Sequence, residues 1–295
     1  MTDPISCHVP FTFGHDGPVC LHAPMDHSEP TIDATIDSTI DVTIDATIDL
    51  DGQVAMVTGA SSGLGRRFAQ ALAANGARVV ATARRLDRLE ELAAEIDRAG
   101  GVCVPVQLDV TDAEQIAESV ATAERVLGPV QILVNNAGIP DAQYATRMPV
   151  DLVDQVLDTN LRAPFLLSCE VARRLIEHRL PGRIVNISSV GGFHYAGGGA
   201  ALYSISKAGV NRLTEALAVE WAKFDINVNA IAPGLFASEM SDGMIERMGD
   251  LTKVFPRRRI GQPEHLDSTL LYLVSPASEM VTGTVIKVDD GQGPR

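Results

Sequence analysis

The first 50 residues contain no lysine or arginine, although they hold nine of the chain's 38 acidic residues. The whole chain of 295 residues has a formal charge of -14. Residues 51–295, with 29 acidic and 24 basic side chains, account for only -5 of that charge. The strong acidity therefore belongs to the N-terminal segment, and the remainder of the chain is only mildly acidic.

Long apolar runs, basic runs and cysteines are also scarce. No apolar stretch reaches the roughly 18 residues of a membrane-spanning helix. The densest basic run, Arg257 to Arg259, is too short to form a nucleic-acid surface in a chain of this net charge. Four cysteines do not form a disulfide scaffold in a chain of this size, and the N-terminus lacks the features of a signal peptide. These absences predict a cytoplasmic protein without nucleic-acid or membrane partners.

A four-residue unit that begins Thr-Ile-Asp is repeated five times in residues 31–50. These residue types are mediocre helix formers, and each Asp would meet another at i+4. An extended strand of that length would be far longer than usual. We predict that residues 1–50 are a disordered leader; an edge-strand or partner-docking segment and a translation start at Met25 are the alternatives. The histidines and cysteines of residues 7–27 lack the spacing of a tetrahedral zinc motif, so we predict no metal site.

Short apolar runs alternate with amphipathic segments from Gln53 onward. The predicted strands span residues 54–58, 78–83, 102–108, 131–135, 183–188, 227–232 and 285–289. The predicted helices span residues 63–75, 86–99, 112–127, 160–179 and 201–223. This alternation predicts one α/β domain over residues 51–295, with a doubly wound parallel sheet (a Rossmann fold) and helices on both faces. Ligands of such sheets bind beyond the carboxyl ends of the strands.

A glycine-rich loop, TGASSGLG at residues 58–65, directly follows the first predicted strand and opens the first predicted helix. Its glycines permit a tight turn and a close approach to a pyrophosphate, and a helix N-terminus attracts negative charge. This placement predicts a dinucleotide site. The candidate residues are Gly59, Ser61, Ser62, Gly63, Leu64 and Gly65.

The end of the second predicted strand bears on which dinucleotide is bound. Many NAD sites have an acid here, whereas this chain has Ala83 followed by Arg84 and Arg85. A guanidinium pairs with a 2'-phosphate, so NADP(H) is preferred and NAD(H) remains possible. The alternative is a solvated basic helix start. After the third strand, Asp109 and Val110 are candidates for adenine binding; the alternative is that Asp109 or Thr111 caps the next helix.

Tyr203 and Lys207 lie four residues apart, so a helix would place the phenol and the ammonium on one face. A nearby cation stabilises a phenolate and makes the tyrosine a better acid or base. Ser188 and Ser189 precede them at the end of a predicted strand, where a hydroxyl can hydrogen-bond a substrate oxygen. The pair alone is common on helix surfaces. Combined with the glycine-rich loop and the serines, it indicates a proton-transfer site.

Together these motifs resemble the short-chain dehydrogenase/reductase family, in particular its single-domain 3-oxoacyl-carrier-protein reductases and related ketone reductases. The resemblance spans residues 51–295. The further matching motifs are LDV at 108–110, NNAG at 135–138, DTNLRAPF at 158–165, ISS at 187–189, YSISK at 203–207 and APG at 232–234. The resemblance implies that Tyr203 is the general acid and base and that Ser189 polarises the carbonyl oxygen. It also implies that Lys207 lowers the pKa of Tyr203 and binds the nicotinamide ribose, and that Asn160 holds a water beside Lys207.

The resemblance also implies further coenzyme contacts and an activity. The implied coenzyme contacts are Asn136, Ala137, Gly138, Tyr203, Lys207, Pro233, Gly234, Phe236 and Ser238. The implied protein is an NADP(H)-preferring oxidoreductase that interconverts a ketone and a secondary alcohol, assembled as a homotetramer or dimer. The alternative is a coenzyme-binding regulatory protein of the same fold without turnover.

Two further regions differ from or add to the shared motifs. Residues 235–256, rich in Met and Phe, are predicted to form a lid segment over the substrate, although helix packing explains the same residues equally well. Together with Phe193, His194 and Tyr195, this segment favours a bulky apolar ketone. The chain has Asp290 where the family usually has a second glycine, which removes one permissive backbone position.

Overall fold

The computed structural model describes residues 48–195, 197–249 and 251–293, except for the side chains of residues 244, 247 and 248. The strands in this part of the chain form one parallel sheet of seven strands, in the order β3-β2-β1-β4-β5-β6-β7. The predicted doubly wound parallel sheet is confirmed. The strands are β1 (Val54–Thr58), β2 (Arg78–Ala83), β3 (Val102–Gln107), β4 (Val130–Asn135), β5 (Gly182–Ile187), β6 (Ile226–Pro233) and β7 (Val285–Val288).

The helices include three that hydrophobic periodicity did not predict, namely α4, α7 and α8. In chain order they are α1 (Gly63–Ala74), α2 (Leu86–Arg98), α3 (Ala113–Leu127), α4 (Val150–Leu157), α5 (Ala163–His178), α6 (Ala201–Trp221), α7 (Glu239–Met248) and α8 (Asp267–Val274). The helix predicted from residue 160 begins instead as a π-helical turn, Asp158–Arg162, which joins α4 to α5. Within the described residues, no helix has both the length and the apolar character needed to cross a bilayer.

The sheet is covered on both faces, which explains why its central strands are apolar along their whole length. All residues of β1 and β6 are buried. One face packs against α1, α2 and α8 through side chains such as Phe68, Leu92 and Leu270. The other packs against α3, α5 and α6 through Val120 and Leu167, among others. Because the strands are parallel, their carboxyl ends all lie at one edge of the sheet.

The packed structure begins before the predicted domain boundary. Leu50, predicted to belong to the leader, is fully buried, and its backbone N donates to Asn75 O at 2.9 Å. Ile48 packs against the same core. Residues 1–47, with the repeat and the histidines and cysteines of the leader, lie outside the described residues.

The strand order reverses between β1 and β4. The chain moves outward from β1 to β3 in one direction and from β4 to β7 in the other. The loops after β1 and β4 therefore diverge and leave a crevice at the carboxyl edge of the sheet. The glycine-rich loop follows β1, and the NNAG motif follows β4, so the fold brings both to the crevice.

Phe68 tests the packing of α1 on the sheet. Its ring is fully buried, so Phe68→Ala should lower the free energy of unfolding by about 3–5 kcal/mol. The measurement is urea denaturation followed by circular dichroism. Phe224→Ala, at an exposed ring after α6, is the matched control and should cost much less. Equal losses from the two substitutions would contradict this assignment of the core.

Candidate active site

The glycine-rich loop contacts the loop after β4 so closely that side chains would not fit. Gly59 has φ +66°, and a Cβ on it would lie 2.9 Å from Asn136 Nδ2 and 3.0 Å from Ala137 Cα. A Cβ on Gly65 would collide with the Asn136 side chain and with Gly59 O. These two positions therefore require glycine because two loops meet there.

The NNAG motif holds the glycine-rich loop in place. The Asn136 side chain donates to Thr58 O at 2.9 Å, and the backbone N atoms of Asn136 and Ala137 each donate to Thr58 Oγ1 at 3.0 Å. A Cβ on Gly138 would lie 3.3 Å from Asn160 Oδ1 and 3.6 Å from Lys207 Nζ. Asn136 thus shapes the glycine-rich loop through its amide, while Gly138 lies beside the Lys207 ammonium.

Ser189, Tyr203 and Lys207 come together at the carboxyl end of β5. The Lys207 Nζ lies 5.7 Å from the centroid of the Tyr203 ring and donates to Ile187 O at 2.8 Å. The Ser189 hydroxyl faces the phenol and accepts from Gly191 N at 3.0 Å. A phenol, a hydroxyl and an ammonium therefore converge at one point of the crevice.

Ser188 has a different role from Ser189. It is buried, and its Oγ lies 3.2 Å from Lys207 O and 2.5 Å from Asn211 Oδ1. These contacts fasten the end of β5 to α6. Of the two serines, Ser189 is the one that faces the tyrosine, as the family spacing implies.

Asn160 links the loop after β4 to α6. It is fully buried in the π-helical turn; its Oδ1 accepts from Ile139 N at 2.8 Å, and its Nδ2 donates to Ile139 O at 2.9 Å and Ser206 Oγ at 3.2 Å. The Ser206 hydroxyl donates in turn to Tyr203 O at 2.7 Å. A π-helical turn widens the helix and often occurs at functional sites. Here it places the Asn160 amide against the turn of α6 that carries Tyr203 and Lys207.

Burial sets the protonation of the cluster. It raises the pKa of the Tyr203 phenol, while the hydrogen bond from Ser189 acts in the opposite direction and the Asp141 carboxylate adds to the rise. Burial also lowers the pKa of Lys207 to about 8. A charged form loses solvation inside a protein, so the phenolate and the ammonium are both disfavoured. At neutral pH Tyr203 is therefore protonated, and the net upward shift of its pKa is opposite to the lowering that the resemblance implies.

Asp141 belongs to the site but was missed by sequence reasoning. Its carboxylate is buried, and its Oδ2 accepts from Tyr203 N at 3.0 Å in the first turn of α6. It also accepts from Ala142 N at 2.7 Å. A carboxylate at a helix N-terminus satisfies free N–H groups and opposes the helix dipole. No spacing could have signalled this contact, because 62 residues separate the partners.

Arg85, rather than Arg84, turns toward the glycine-rich loop. Its Nη2 donates to Ser61 Oγ at 3.0 Å and to Ser62 Oγ at 2.9 Å, and its guanidinium forms an ion pair with Glu239. The Arg84 carbonyl accepts from Gln107 Nε2 at 2.9 Å, and its guanidinium has no ion-pair partner among the described residues. The basic group at this loop is therefore Arg85.

Neither Asp109 nor Thr111 caps the helix that follows, so that alternative is wrong. The Asp109 carboxylate accepts from Thr111 N at 3.0 Å and from Thr111 Oγ1 at 2.8 Å. The N-cap of α3 is Asp112, whose carboxylate accepts from Glu114 N and Gln115 N. The neighbouring Val110 is buried in the core below α3.

The segment after β6 carries four predicted coenzyme contacts. Pro233 ends β6, and a Cβ on Gly234 would lie 2.8 Å from Asp289 Cβ. The Phe236 ring is buried in the core and leaves no room for a Cβ on Gly261. Ser238 is the N-cap of α7, and its Cβ would lie 3.3 Å from a Cβ on Gly63. Phe236 thus anchors the segment, whereas Ser238 lies directly over the glycine-rich loop.

Asp290 shows how the chain accommodates its departure from the family pattern. It has φ +52°, in the left-handed region that favours glycine. Its carboxylate pairs with Arg257 at 3.2 Å and Arg259 at 2.6 Å. Asp290 therefore occupies a left-handed backbone position that glycine adopts more easily, as expected, and its two ion pairs hold it there.

The predicted substrate wall is partly exposed. The rings of Phe193 and Tyr195, on the loop after β5, are exposed. The Lys287 ammonium lies 4.3 Å from the centroid of the Phe193 ring. Helix α7 occupies the middle of the predicted lid segment, and Met240 is exposed on it.

Comparison with known proteins gives consistent matches over the body of the chain. A family model described as short chain dehydrogenase matches residues 53–248. Gluconate 5-dehydrogenase of Gluconobacter oxydans is 38% identical over 245 residues, which are 82% of this chain and 95% of that protein. The 3-oxoacyl-[acyl-carrier-protein] reductase of Thermotoga maritima is 37% identical over 244 residues, 82% of this chain and 98% of that protein.

Solved structures match equally well. One is a putative NAD(P)-dependent gluconate 5-dehydrogenase from Beutenbergia cavernae with bound NADP at low occupancy. It has a TM-score of 0.78 and 36% sequence identity, and the match covers 83% of this chain and 98% of that one. The likeness therefore extends from sequence to fold over nearly the whole length of that protein.

The depressed pKa of Lys207 predicts a pH-dependent stability. The unfolded lysine keeps its proton to about pH 10.4, whereas the folded one loses it near pH 8. Between these values the unfolded state binds more protons, so stability rises with pH. Relative to Lys207→Met, the wild type should gain about 2 kcal/mol between pH 8 and 10. Urea denaturation of both proteins across this range measures it, and a difference that does not change with pH would contradict the assignment.

Proposed function

The chain belongs to the short-chain dehydrogenase/reductase family, and from that membership we propose that it is an NADP(H)-preferring oxidoreductase that interconverts a ketone and a secondary alcohol. The observation that carries the proposal is the convergence of Ser189, Tyr203 and Lys207 beside the glycine-rich loop. A coenzyme on that loop and a carbonyl near the phenol would both lie at the carboxyl edge of the sheet.

The residues of the chain fit a proton-transfer role in this reaction. The coenzyme supplies the hydride when it is bound. In reduction, Tyr203 donates its phenolic proton to the carbonyl oxygen, and the Ser189 hydroxyl donates a hydrogen bond to the same oxygen. Lys207 spends one of its three N–H donors on Ile187 O, so the others can bind hydroxyls of the ribose. In oxidation the phenolate of Tyr203 accepts the proton.

The glycine-rich loop and its surroundings fit a dinucleotide with a 2'-phosphate. Ala83 at the end of β2 places no carboxylate where ribose hydroxyls would bind. The Arg85 guanidinium and the Ser62 hydroxyl already hold an anion, the Glu239 carboxylate, and Ser61 Oγ accepts from the same guanidinium. Phosphate and carboxylate accept from arginine in the same bidentate way. The NADP in the structure from Beutenbergia cavernae supports the same preference.

The proposed substrate is a bulky, apolar ketone or the corresponding alcohol. The exposed rings of Phe193 and Tyr195 on the loop after β5 support this choice, because aromatic walls favour apolar ligands. A coenzyme-binding regulatory protein without turnover is the competing proposal. The presence of Asn160, Ser189, Tyr203 and Lys207 in one site argues for the enzyme.

We also propose self-association as a homotetramer or dimer. An apolar groove at α4, the π-helical turn, α5 and α6 is lined by Leu157, Leu161, Phe165 and Leu213, with Asp158 and Arg162 at its side. Exposed apolar surface of this kind supports a contact between copies of the chain.

Tyr203→Phe tests the catalytic proposal. Removal of the phenolic proton should lower kcat for reduction by roughly 10²–10⁴-fold, while the Kd for NADPH changes little because the ring remains. Turnover is followed by nicotinamide absorbance with a panel of ketones. Tyr272→Phe removes a hydroxyl at an exposed site on α8 and should leave kcat unchanged. Tight NADPH binding by wild type without turnover of any ketone would favour the regulatory alternative.

Arg85→Ala tests the coenzyme preference. Loss of charge-assisted hydrogen bonds to a 2'-phosphate should weaken NADPH binding by roughly 10–100-fold, with little change for NADH. Titration calorimetry with both coenzymes measures the ratio. Arg98→Ala, at an exposed arginine in the last turn of α2, is the control. Equal weakening of both coenzymes would rule out the 2'-phosphate role.

A further inference from the structure

Glu239, the first residue of α7, is the anion at the Arg85 site. Its Oε2 accepts from Arg85 Nη2 at 3.0 Å and from Ser62 Oγ at 3.0 Å, and its Oε1 accepts from Arg85 Nη1 at 3.3 Å. The carboxylate therefore binds both Nη atoms of the guanidinium and one hydroxyl of the glycine-rich loop. These are the donors that a 2'-phosphate would use.

The contact between Glu239 and Arg85 is a charged ion pair that remains partly exposed to solvent. The hydrogen bonds from Arg85 and Ser62 hold the pKa of Glu239 below its ordinary value, so the carboxylate is charged at neutral pH. The Arg85 and Glu239 side chains remain 45% and 63% exposed, however. Exposed ion pairs of this kind contribute little to stability. An incoming phosphate can therefore displace the carboxylate.

The N-terminal cap of α7 does not depend on Glu239. The helix is capped internally, since Ser241 N donates to Ser238 Oγ at 3.2 Å and Ser238 N donates to Ser241 Oγ at 2.8 Å. Glu239 contributes nothing to this capping box. Its carboxylate can leave Arg85 while the helix keeps its N-terminal hydrogen bonds.

We propose that Glu239 competes with the 2'-phosphate of the coenzyme for Arg85, so that this carboxylate limits how strongly the protein prefers NADPH over NADH. NADH has no 2'-phosphate and leaves the ion pair in place. To bind, NADPH must displace the Glu239 carboxylate from Arg85, and its 2'-phosphate then lies near that negatively charged carboxylate. This inference rests on the coenzyme preference proposed above and names the residue of the lid segment that tunes it.

Glu239→Gln tests the competition because it removes the charge and keeps the size of the side chain. The Kd for NADPH should fall roughly three- to fivefold, the size expected for an exposed ion pair. The Kd for NADH should stay within error. Both values are measured by titration calorimetry on the full chain. In an Arg85→Ala background, Glu239→Gln should no longer change the NADPH to NADH ratio, because the shared partner is gone.

Glu246→Gln is the matched control, since it removes an exposed glutamate from the same helix and should leave both Kd values unchanged. If wild type prefers NADPH and Glu239→Gln changes both coenzymes equally or neither, the competition is overturned and the preference stands. If wild type binds both coenzymes equally but the variant gains selectively for NADPH, the proposed preference fails and the competition stands. If neither discrimination nor a selective gain is seen, both fail.

Discussion

The close contact between the loops after β1 and β4 is the constraint on which the site depends. Parallel strands that neighbour each other at a reversal of strand order send their loops apart, yet here the loops must also touch. Thr58 and Asn136 join them through backbone and side-chain hydrogen bonds, and Gly59 and Gly65 provide the space. Contacts from the loop after β4 therefore fix the shape of the glycine-rich loop after β1. A change in either loop would be transmitted to the other.

The burial that orders Tyr203 and Lys207 also shifts their pKa values. Lys207 is held against Ile187 O within the protein, and this burial lowers its pKa to about 8. Tyr203 is shifted the other way, and Asp141 adds to the rise while capping the helix that carries the phenol. Burial therefore fixes the positions of these side chains and shifts their pKa values at the same time. The fixed geometry comes with a weaker preference of Lys207 for its charged form.

The fold was predictable because most elements carry a local signal. Predicted and observed strands agree to within about a residue at each end, since β1 and β6 are apolar runs bounded by turns. Helices α4 and α8 have eight residues each, too few for a clear hydrophobic period. Leu50 was misjudged because its burial depends on contacts distant in sequence. Asp141 and Glu239 escaped for the same reason: their partners are 62 and 154–177 residues away.

The segment from Leu235 to Gly261, which contains the predicted lid, is closed by contacts between its two ends. Ala237 N donates to Gly261 O at 2.9 Å, and Gly261 N donates to Leu235 O at 2.9 Å. The buried Phe236 ring packs on Gly261 and fixes this junction. Between these two ends the chain forms α7, whose Glu239 contacts the glycine-rich loop. In the proposed competition, the closed junction would let α7 respond to an exchange of partners at Glu239 while β6 and its Pro233 remain in place.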